Sequence, residues 1–72
     1  MDPIPGDKYQ HYKGNIYEII GIGRHTETDE TVVVYRALSG DHSGQIWVRP
    51  KAMFFDEVIR DGINIPRFRR IE

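Results

Sequence analysis

The chain has 72 residues, and its 10 basic and 11 acidic side chains leave a formal net charge of −1. This length predicts one domain, whose core can contribute about 3–5 kcal/mol of net stability. The charge balance gives no general attraction to nucleic acid, and the absence of cysteine excludes disulfides and thiolate zinc sites.

The first residues, MDPIPGD, are acidic and contain proline. They have neither the basic start nor the apolar run of a signal peptide. We predict a flexible N-terminal segment over residues 1–8 and a single domain over residues 9–72. No stretch approaches the roughly 20 apolar residues of a membrane helix. We therefore expect a cytoplasmic protein with no membrane partner, and a cysteine-free chain fits that reducing compartment.

Two strong strands come next. Residues 16–23 read IYEIIGIG and residues 31–38 read TVVVYRAL, both rich in β-branched and aromatic residues. The polar residues HTETDE between them favour a turn. Residues 16–38 thus predict a long β-hairpin. Gly21 and Gly23 would let its first strand bend strongly, with Tyr17 and Ile19 on one face and Ile22 on the other.

The second half predicts shorter elements. SGDHSG reads as a turn and QIWVR as a strand. Pro50 suits the first position of a helix, so we expect one helical turn over residues 50–54 and then a strand. Asp61 and Gly62 predict a hairpin turn before a last strand over residues 65–71, with Pro66 at an edge or a bulge.

These elements predict a mostly β protein with about five strands and one short helical turn. A five-stranded sheet in so few residues has to curl to enclose a core. The architecture we expect is a small SH3-like barrel.

Several ordered blocks of the chain follow a known pattern: YKGNIYEIIGIGRHTETDETVVVYRAL, WVRPKAMF and DGINIPRF. Together they resemble the small bacterial family called domain of unknown function 1653. The matching positions are Tyr12, Lys13, Gly14, Tyr17, Ile19, Gly21, Gly23, His25, Glu27, Thr28, Val33, Val34, Tyr35, Leu38, Trp47, Val48, Arg49, Pro50, Met53, Phe54, Pro66, Arg67 and Phe68. Ile19 replaces a valine, Gly23 an alanine, and Ser39 stands where an aromatic residue is common. The resemblance implies an SH3-like barrel and implies no activity.

His25 and Glu27 are the first candidate site. In an extended strand they project from the same face, and an imidazole and a carboxylate there can ligate a divalent metal. A third ligand would come from Glu30, His42 or His11. We favour the structural interpretation, in which His25 bonds to neighbouring backbone or carboxylate groups and pins the hairpin. The remaining alternative is an acidic patch that contacts a partner.

Trp47 and Arg49 lie two residues apart on one strand face. Arginine beside an aromatic ring can grip a carboxylate or a phosphate. For Trp47 we favour a core position. For Arg49, an ion pair with Glu27 or Glu57 is as well supported as ligand binding.

The four tyrosines divide into two pairs. Tyr17 and Tyr35, in mid-strand, are expected in the core. Tyr9 and Tyr12, near the start of the domain, are candidates for contact with an extended peptide or with stacked bases.

The last strand carries a basic cluster. Arg67 and Arg69 would share one face and Phe68 would point inward. Such arginines can contact phosphate, although edge strands also carry charge simply to prevent aggregation.

We favour a non-catalytic protein- or peptide-binding module with no cofactor. The alternative is a nucleic-acid-binding barrel, and a weaker one is a metal-dependent enzyme centred on His25 and Glu27. No enzyme is expected, because there is no cysteine nucleophile or P-loop and the serines of SGDHSG lie beside His42 on one turn. The sequence leaves the oligomeric state open. The candidate binding residues are Tyr9, Tyr12, His25, Glu27, Trp47, Arg49 and Arg67.

Overall fold

The computed structural model describes residues 2–72 and confirms a mostly β protein with one short helix. Its elements are β1 (Lys8–His11), β2 (Ile16–Arg24), β3 (Thr31–Ala37), β4 (Ile46–Pro50), α1 (Lys51–Phe54), β5 (Glu57–Arg60), β6 (Ile63–Pro66) and β7 (Phe68–Arg70). Five strands form an antiparallel sheet in the order β4-β3-β2-β1-β7, and β5 pairs with β6 in a separate two-stranded sheet.

The five-stranded sheet is open, which corrects the expected SH3-like barrel. Its edges are β4 and β7, and within residues 2–72 these two strands do not pair with each other. The predicted strand over residues 65–71 divides at Arg67, so β6 pairs with β5 while the three residues of β7 return to β1. Because the chain uses these residues in two different sheets, no strand among residues 2–72 closes the first sheet into a barrel.

The predicted hairpin turn between β5 and β6 is confirmed. Asp61 and Gly62 both have positive φ angles, 53° and 76°, as the tight turns of two-residue hairpins require. β6 then ends at Pro66, where a missing N–H stops further pairing.

A β-bulge in β2 changes which residues face the core. Ile19 pairs with Tyr35 but Gly21 pairs with Val34, so β2 carries one extra residue between them. Since side chains alternate along a strand, this extra residue brings Ile22 to the same face as Ile19. The sequence placed those two isoleucines on opposite faces, because a strict alternation takes no account of a bulge.

The core lies between α1 and one face of the sheet, called the inner face below. It consists of Tyr9, Ile19, Val33, Tyr35, Phe54 and Phe68, with Tyr17 packed against it. Phe54 comes from α1, which starts directly after Pro50 as predicted to within one residue. Two tyrosines that the sequence separated, Tyr9 and Tyr35, thus belong to one core.

Residues ahead of β1 also bond to the sheet. The Gly6 N–H donates to the Ile19 carbonyl at 2.9 Å, and the Ile19 N–H donates to the Asp7 carbonyl at 2.8 Å. The Asp7 side chain accepts a hydrogen bond from the Ile4 N–H at 3.1 Å. None of the helices in residues 2–72 has the length and apolar character needed to cross a membrane.

Candidate functional site

Aromatic rings from four elements meet on the inner face. Phe54 of α1 stacks on Phe68 of β7, with ring centres 4.2 Å apart and planes within 6°. Tyr35 meets both rings edge to face, at 5.3 Å from Phe54 and 5.7 Å from Phe68, and Tyr17 meets Tyr35 in the same way at 5.3 Å. Edge-to-face packing of this kind fixes each ring with little freedom, so the inner face presents a rigid aromatic floor.

A small cleft of about 170 Å³ opens over this floor and is called the aromatic cleft here. Trp47 and Arg49 of β4 form one wall together, which confirms that they share a strand face. The residues that line the cleft are His11, Tyr17, Tyr35, Trp47, Arg49 and Phe68.

Trp47 is 39% exposed, so the expectation that it belongs to the core is wrong. The reason is topological: β4 is an edge strand, and on its inner face the core is already filled by Tyr35 and Phe54. The His42 and Trp47 rings meet edge to face, with their centres 5.8 Å apart. An indole left open beside a cleft is a contact surface of the kind that binding sites use.

Arg49 is held in place by aromatic groups. Its Nε donates to the Tyr35 hydroxyl at 3.2 Å, and its guanidinium carbon lies 5.6 Å from the centre of the Phe68 ring. In the described part of the chain Arg49 forms no salt bridge, so of its two alternatives the ion pair with Glu27 or Glu57 is wrong. Its terminal nitrogens therefore remain available as charged donors at the cleft.

Arg67, by contrast, is engaged within the protein. It forms a two-pronged salt bridge with Asp56, with Nε 2.6 Å from Oδ1 and Nη2 3.3 Å from Oδ2. The hydrogen bond from Arg67 lowers the pKa of the Asp56 carboxyl below its usual 3.8. The Arg67 N–H also donates to the Asp56 carbonyl at 3.1 Å. Arg67 thus ties β7 to the chain ahead of β5, with a charge that Asp56 offsets.

His11 of β1 stands at the mouth of the aromatic cleft. Its ring meets Phe68 edge to face at 5.0 Å and tilts over Tyr12 at 4.5 Å. Nδ1 accepts a hydrogen bond from the Lys13 N–H at 3.1 Å, which places the ring proton on Nε2. Burial lowers the pKa of His11 below its usual 6.5, and the charges of Arg49, Arg67 and Lys13 lower it further. The imidazole is therefore a largely neutral donor at neutral pH.

A second cleft of about 370 Å³ adjoins the first, because His11 lines both; it is called the lateral cleft. Its lining residues are Gln10, His11, Tyr12, Gly14, Ile65, Pro66 and Arg69. Arg69 is tied to Gln10, with Nη2 2.8 Å from Oε1. Together the two clefts extend from Trp47 past His11 to Pro66. Their walls combine aromatic and apolar side chains with the basic side chains Arg49 and Arg69.

The turn between β2 and β3 is satisfied by its own residues. Nδ1 of His25 accepts hydrogen bonds from the N–H groups of Glu27 at 3.1 Å and Thr28 at 3.3 Å. The His25 N–H donates to the Glu30 carbonyl at 2.8 Å, and the Asp29 N–H donates to the His25 carbonyl at 2.9 Å. This is the arrangement that the structural interpretation of His25 predicted. Among residues 2–72 no group of three or more histidine or acidic side chains is placed to hold a metal ion.

The structure therefore divides the candidate residues predicted from sequence. Trp47 and Arg49 lie in the aromatic cleft and Tyr12 in the lateral cleft, while His25 and Glu27 lie in the distant turn. Tyr9 is buried, with 7% exposure, and the expectation that it is open to a partner is wrong, because it lies on β1 beside Tyr17.

The sequence did not predict that His11 lines the cleft, and suggested it only as a possible third metal ligand. A signal was present: His11 lies two residues after Tyr9 and so shares its strand face. That signal could be used only if residues 8–11 had been recognised as a strand.

The fold and the cleft define a small open-sheet β domain with an aromatic and basic cleft. Over residues 7–70 the chain matches the family described as Protein of unknown function (DUF1653), and it belongs to that family. The resemblance seen in the sequence blocks is thus confirmed, and the family's description assigns no activity.

A solved structure supports the same assignment. The crystal structure of a DUF1653 protein from Bordetella bronchiseptica is similar to this chain with a TM-score of 0.79 and 37% sequence identity. The similarity covers 93% of this chain and 85% of that chain. No curated protein matches the chain.

Proposed function

We propose that this protein is a non-catalytic module that binds an extended protein segment carrying a carboxylate, with the carboxylate at Arg49. Arg49 is the observation that carries the proposal. It is fixed by Tyr35 and Phe68, lies in the wall of a cleft, and has no salt bridge within residues 2–72. A pre-positioned guanidinium loses little freedom on binding and can hold a carboxylate through two parallel hydrogen bonds.

The shape of the surface supports an extended ligand. The aromatic cleft and the lateral cleft lie on either side of His11, so a peptide strand could place alternate side chains in each. Trp47 offers a stacking surface at one end, and Ile65 and Pro66 offer an apolar one at the other. Grooves that bind extended peptides combine aromatic pockets with a few fixed polar groups in this way. The cytoplasmic location expected from the sequence is part of this proposal.

A second candidate, binding of single-stranded nucleic acid, is favoured by one observation. Exposed Trp47 stands near Arg49 at one end of the surface, and β7 carries exposed Arg69 and Arg70. Aromatic rings that stack bases beside arginines that contact phosphates are the usual elements of such sites. The formal net charge of −1 makes this the weaker candidate.

Trp47 provides the test, since it is the chain's single tryptophan and lies in the cleft wall. We would titrate the protein with a positional-scanning library of acetylated, amidated hexapeptides and follow Trp47 fluorescence. Pools with a fixed Glu or Asp should change the signal and their Gln or Asn counterparts should not. Arg49→Met should abolish the difference, whereas Arg24→Met, at the exposed end of β2, should preserve it.

An oligothymidylate serves as the competing probe. If it changes the fluorescence with an affinity that falls steeply with salt while the acidic pools do nothing, the second candidate replaces the first. If neither probe changes the signal, both binding proposals are wrong.

A further inference from the structure

The outer edge of β4 is free, and its hydrogen-bonding groups can be assigned. The Ala37 N–H donates to the Gln45 carbonyl at 2.9 Å, next to β4. Since bonded and non-bonded pairs alternate in an antiparallel ladder, the register of Tyr35 opposite Trp47 turns the peptide groups of Trp47 and Arg49 toward β3. The N–H and carbonyl groups of Ile46 and Val48, and the carbonyl of Pro50, therefore point outward, away from the sheet.

The side chains along this edge are apolar. Ile46 is 49% exposed and Val48 is 59% exposed, both on the face opposite the aromatic cleft. Pro50 ends the strand, and its missing N–H falls on the free edge, where a proline costs no ladder bond. The one charged side chain of β4, Arg49, points into the cleft and does not guard the edge. Its exposed apolar side chains and outward backbone groups make this edge a template for another strand, while its length of five residues and Pro50 restrict how far such pairing can extend.

We propose that β4 pairs with β4 of a second copy of this chain, antiparallel, about a two-fold axis at Val48. The strand is self-complementary in this register. Val48 lies opposite the partner's Val48 and Ile46 opposite the partner's Pro50, so the outer face is apolar throughout. On the inner face Trp47 lies opposite the partner's Arg49, a pairing of indole with guanidinium that is favourable.

The backbone groups fit the same register. The Val48 N–H would donate to the carbonyl of the partner's Val48, and the Ile46 N–H to the carbonyl of the partner's Pro50, each bond occurring twice by symmetry. The Ile46 carbonyl faces the partner's Pro50, which has no N–H, so this carbonyl stays bonded to water. Centring the pair on Trp47 would instead place Pro50 opposite the partner's Gly44, whose N–H already donates to Ala37. The register at Val48 is the one that uses all five residues of β4.

Charge allows two copies to approach. The formal net charge of −1 produces little repulsion, and β7, the other edge, carries two exposed arginines that oppose the same kind of pairing there. The joined sheet would have ten strands with one aromatic cleft on each side of the seam. This inference does not rest on the proposed function, because it is argued from the backbone register of β4 and tested at Val48 on the outer face. On the inner face the seam does bring the partner's Trp47 beside Arg49 of the aromatic cleft.

Substituting Val48, which lies on the proposed two-fold axis, with residues of opposite charge tests the proposal. We would follow the full chain by sedimentation velocity over a concentration series, because an interface of one strand pair is small and its dimer reversible. Wild type should dimerise, and Val48→Lys and Val48→Glu should each be monomeric, since like charges would lie directly opposite. Mixing the two variants should restore a dimer. Ile59→Lys, on β5 and 77% exposed, adds the same charge elsewhere and should leave the dimer intact.

Three outcomes would overturn the proposal. The first is a wild type that stays monomeric at ~1 mM, which would leave the edge to a foreign strand or to none. The second is a Val48→Lys variant that still dimerises, which would assign the dimer to another surface. The third is a mixture of the Lys and Glu variants that stays monomeric, which would rule out Val48 opposite itself. Unchanged circular dichroism of each variant monomer shows that its fold is retained, as expected for an exposed position.

Discussion

Two histidine-containing regions of this molecule have opposite characters. The turn around His25 is rich in polar and acidic residues in the sequence, yet its groups bond to one another: Nδ1 of His25 holds two backbone N–H groups, and Thr28 donates to Glu30 at 3.0 Å. The region around His11 looks ordinary in the sequence. In the fold it joins an aromatic floor, a fixed arginine and two clefts.

The difference shows that a polar, charged stretch of sequence does not by itself predict a surface whose hydrogen-bonding groups are left open in the fold. Side chains that are neighbours in sequence, as in a turn, can satisfy one another at once. Arg49 and His11 come from strands that are far apart in sequence and meet on a surface that is mainly aromatic. Few hydrogen-bond acceptors surround them, so their remaining donor groups stay available to a ligand.

The largest effect on stability is expected for a substitution in the core beneath the aromatic cleft, because the two share Tyr35 and Phe68. Phe54→Ala removes a ring that is fully buried and stacked on Phe68. We expect a loss of about 3–5 kcal/mol in the free energy of unfolding, comparable with all that a domain of this size has. Chemical denaturation followed by Trp47 fluorescence measures it.

Phe55→Ala is the matched control for this prediction, since Phe55 is 41% exposed and its loss should cost far less. Phe54→Leu should keep the protein folded with an intermediate loss. A Phe54→Ala variant as stable as the wild type would contradict the view that the cleft floor and the core are one structure.

The second prediction concerns binding. Arg49→Met keeps the apolar stem beside Phe68 but removes the charge, so binding of the acidic hexapeptide pools should weaken about tenfold to a hundredfold. Arg49→Lys should rescue only part of this, because an ammonium group lacks the planar fork. Trp47 fluorescence titration measures each affinity. Equal losses from Arg49→Met and Arg24→Met would remove the distinction between the two regions.

The strong local patterns were sufficient to predict much of the fold. The hairpin over residues 16–38, the turn at Asp61 and Gly62, and the short helix after Pro50 each rest on residues next to one another in sequence. β1 was not predicted, because KYQH has no alternation of its own and becomes a strand by pairing with β2 and β7. The predicted barrel was wrong for a related reason. Whether the sheet closes depends on whether its edge strands β4 and β7 pair, and these strands are far apart in sequence.

The candidate site was predicted in part. Trp47 and Arg49 could be placed on one face from their spacing alone. Their surroundings could not, because Phe68 and His11 reach the cleft only through the pairing of β1 with β7. The partner of Arg67 was equally hidden: Asp56 lies 11 residues away, across the β5–β6 hairpin.

A smaller effect is expected in the turn. His25→Ala removes an acceptor for the N–H groups of Glu27 and Thr28, and we expect a cost of about 0.5–1 kcal/mol in unfolding free energy, because these groups are exposed and water can replace the ring. His25→Asn should recover part of it, since an asparagine side chain can accept the same bonds. Denaturation measures the cost, and peptide binding should not change. A loss of binding in His25→Ala would return the turn to the functional surface.

The smallest effect is the pH response of His11. Its folded-state pKa lies below the unfolded value of 6.5, mainly through burial, so the unfolded chain takes up the proton first on acidification. The stability that His11 contributes is therefore complete above pH 6.5 and is lost as the pH falls through the lowered folded-state pKa. NMR titration of the His11 ring measures that pKa directly, and denaturation at a series of pH values measures the slope. Arg49→Met should raise the His11 pKa part of the way toward 6.5, because the Arg49 charge is the second cause of the shift. A His11 ring that titrates above 6.5 would contradict this account, because a raised pKa requires a negative charge near the ring that outweighs both burial and the charges of Arg49, Arg67 and Lys13.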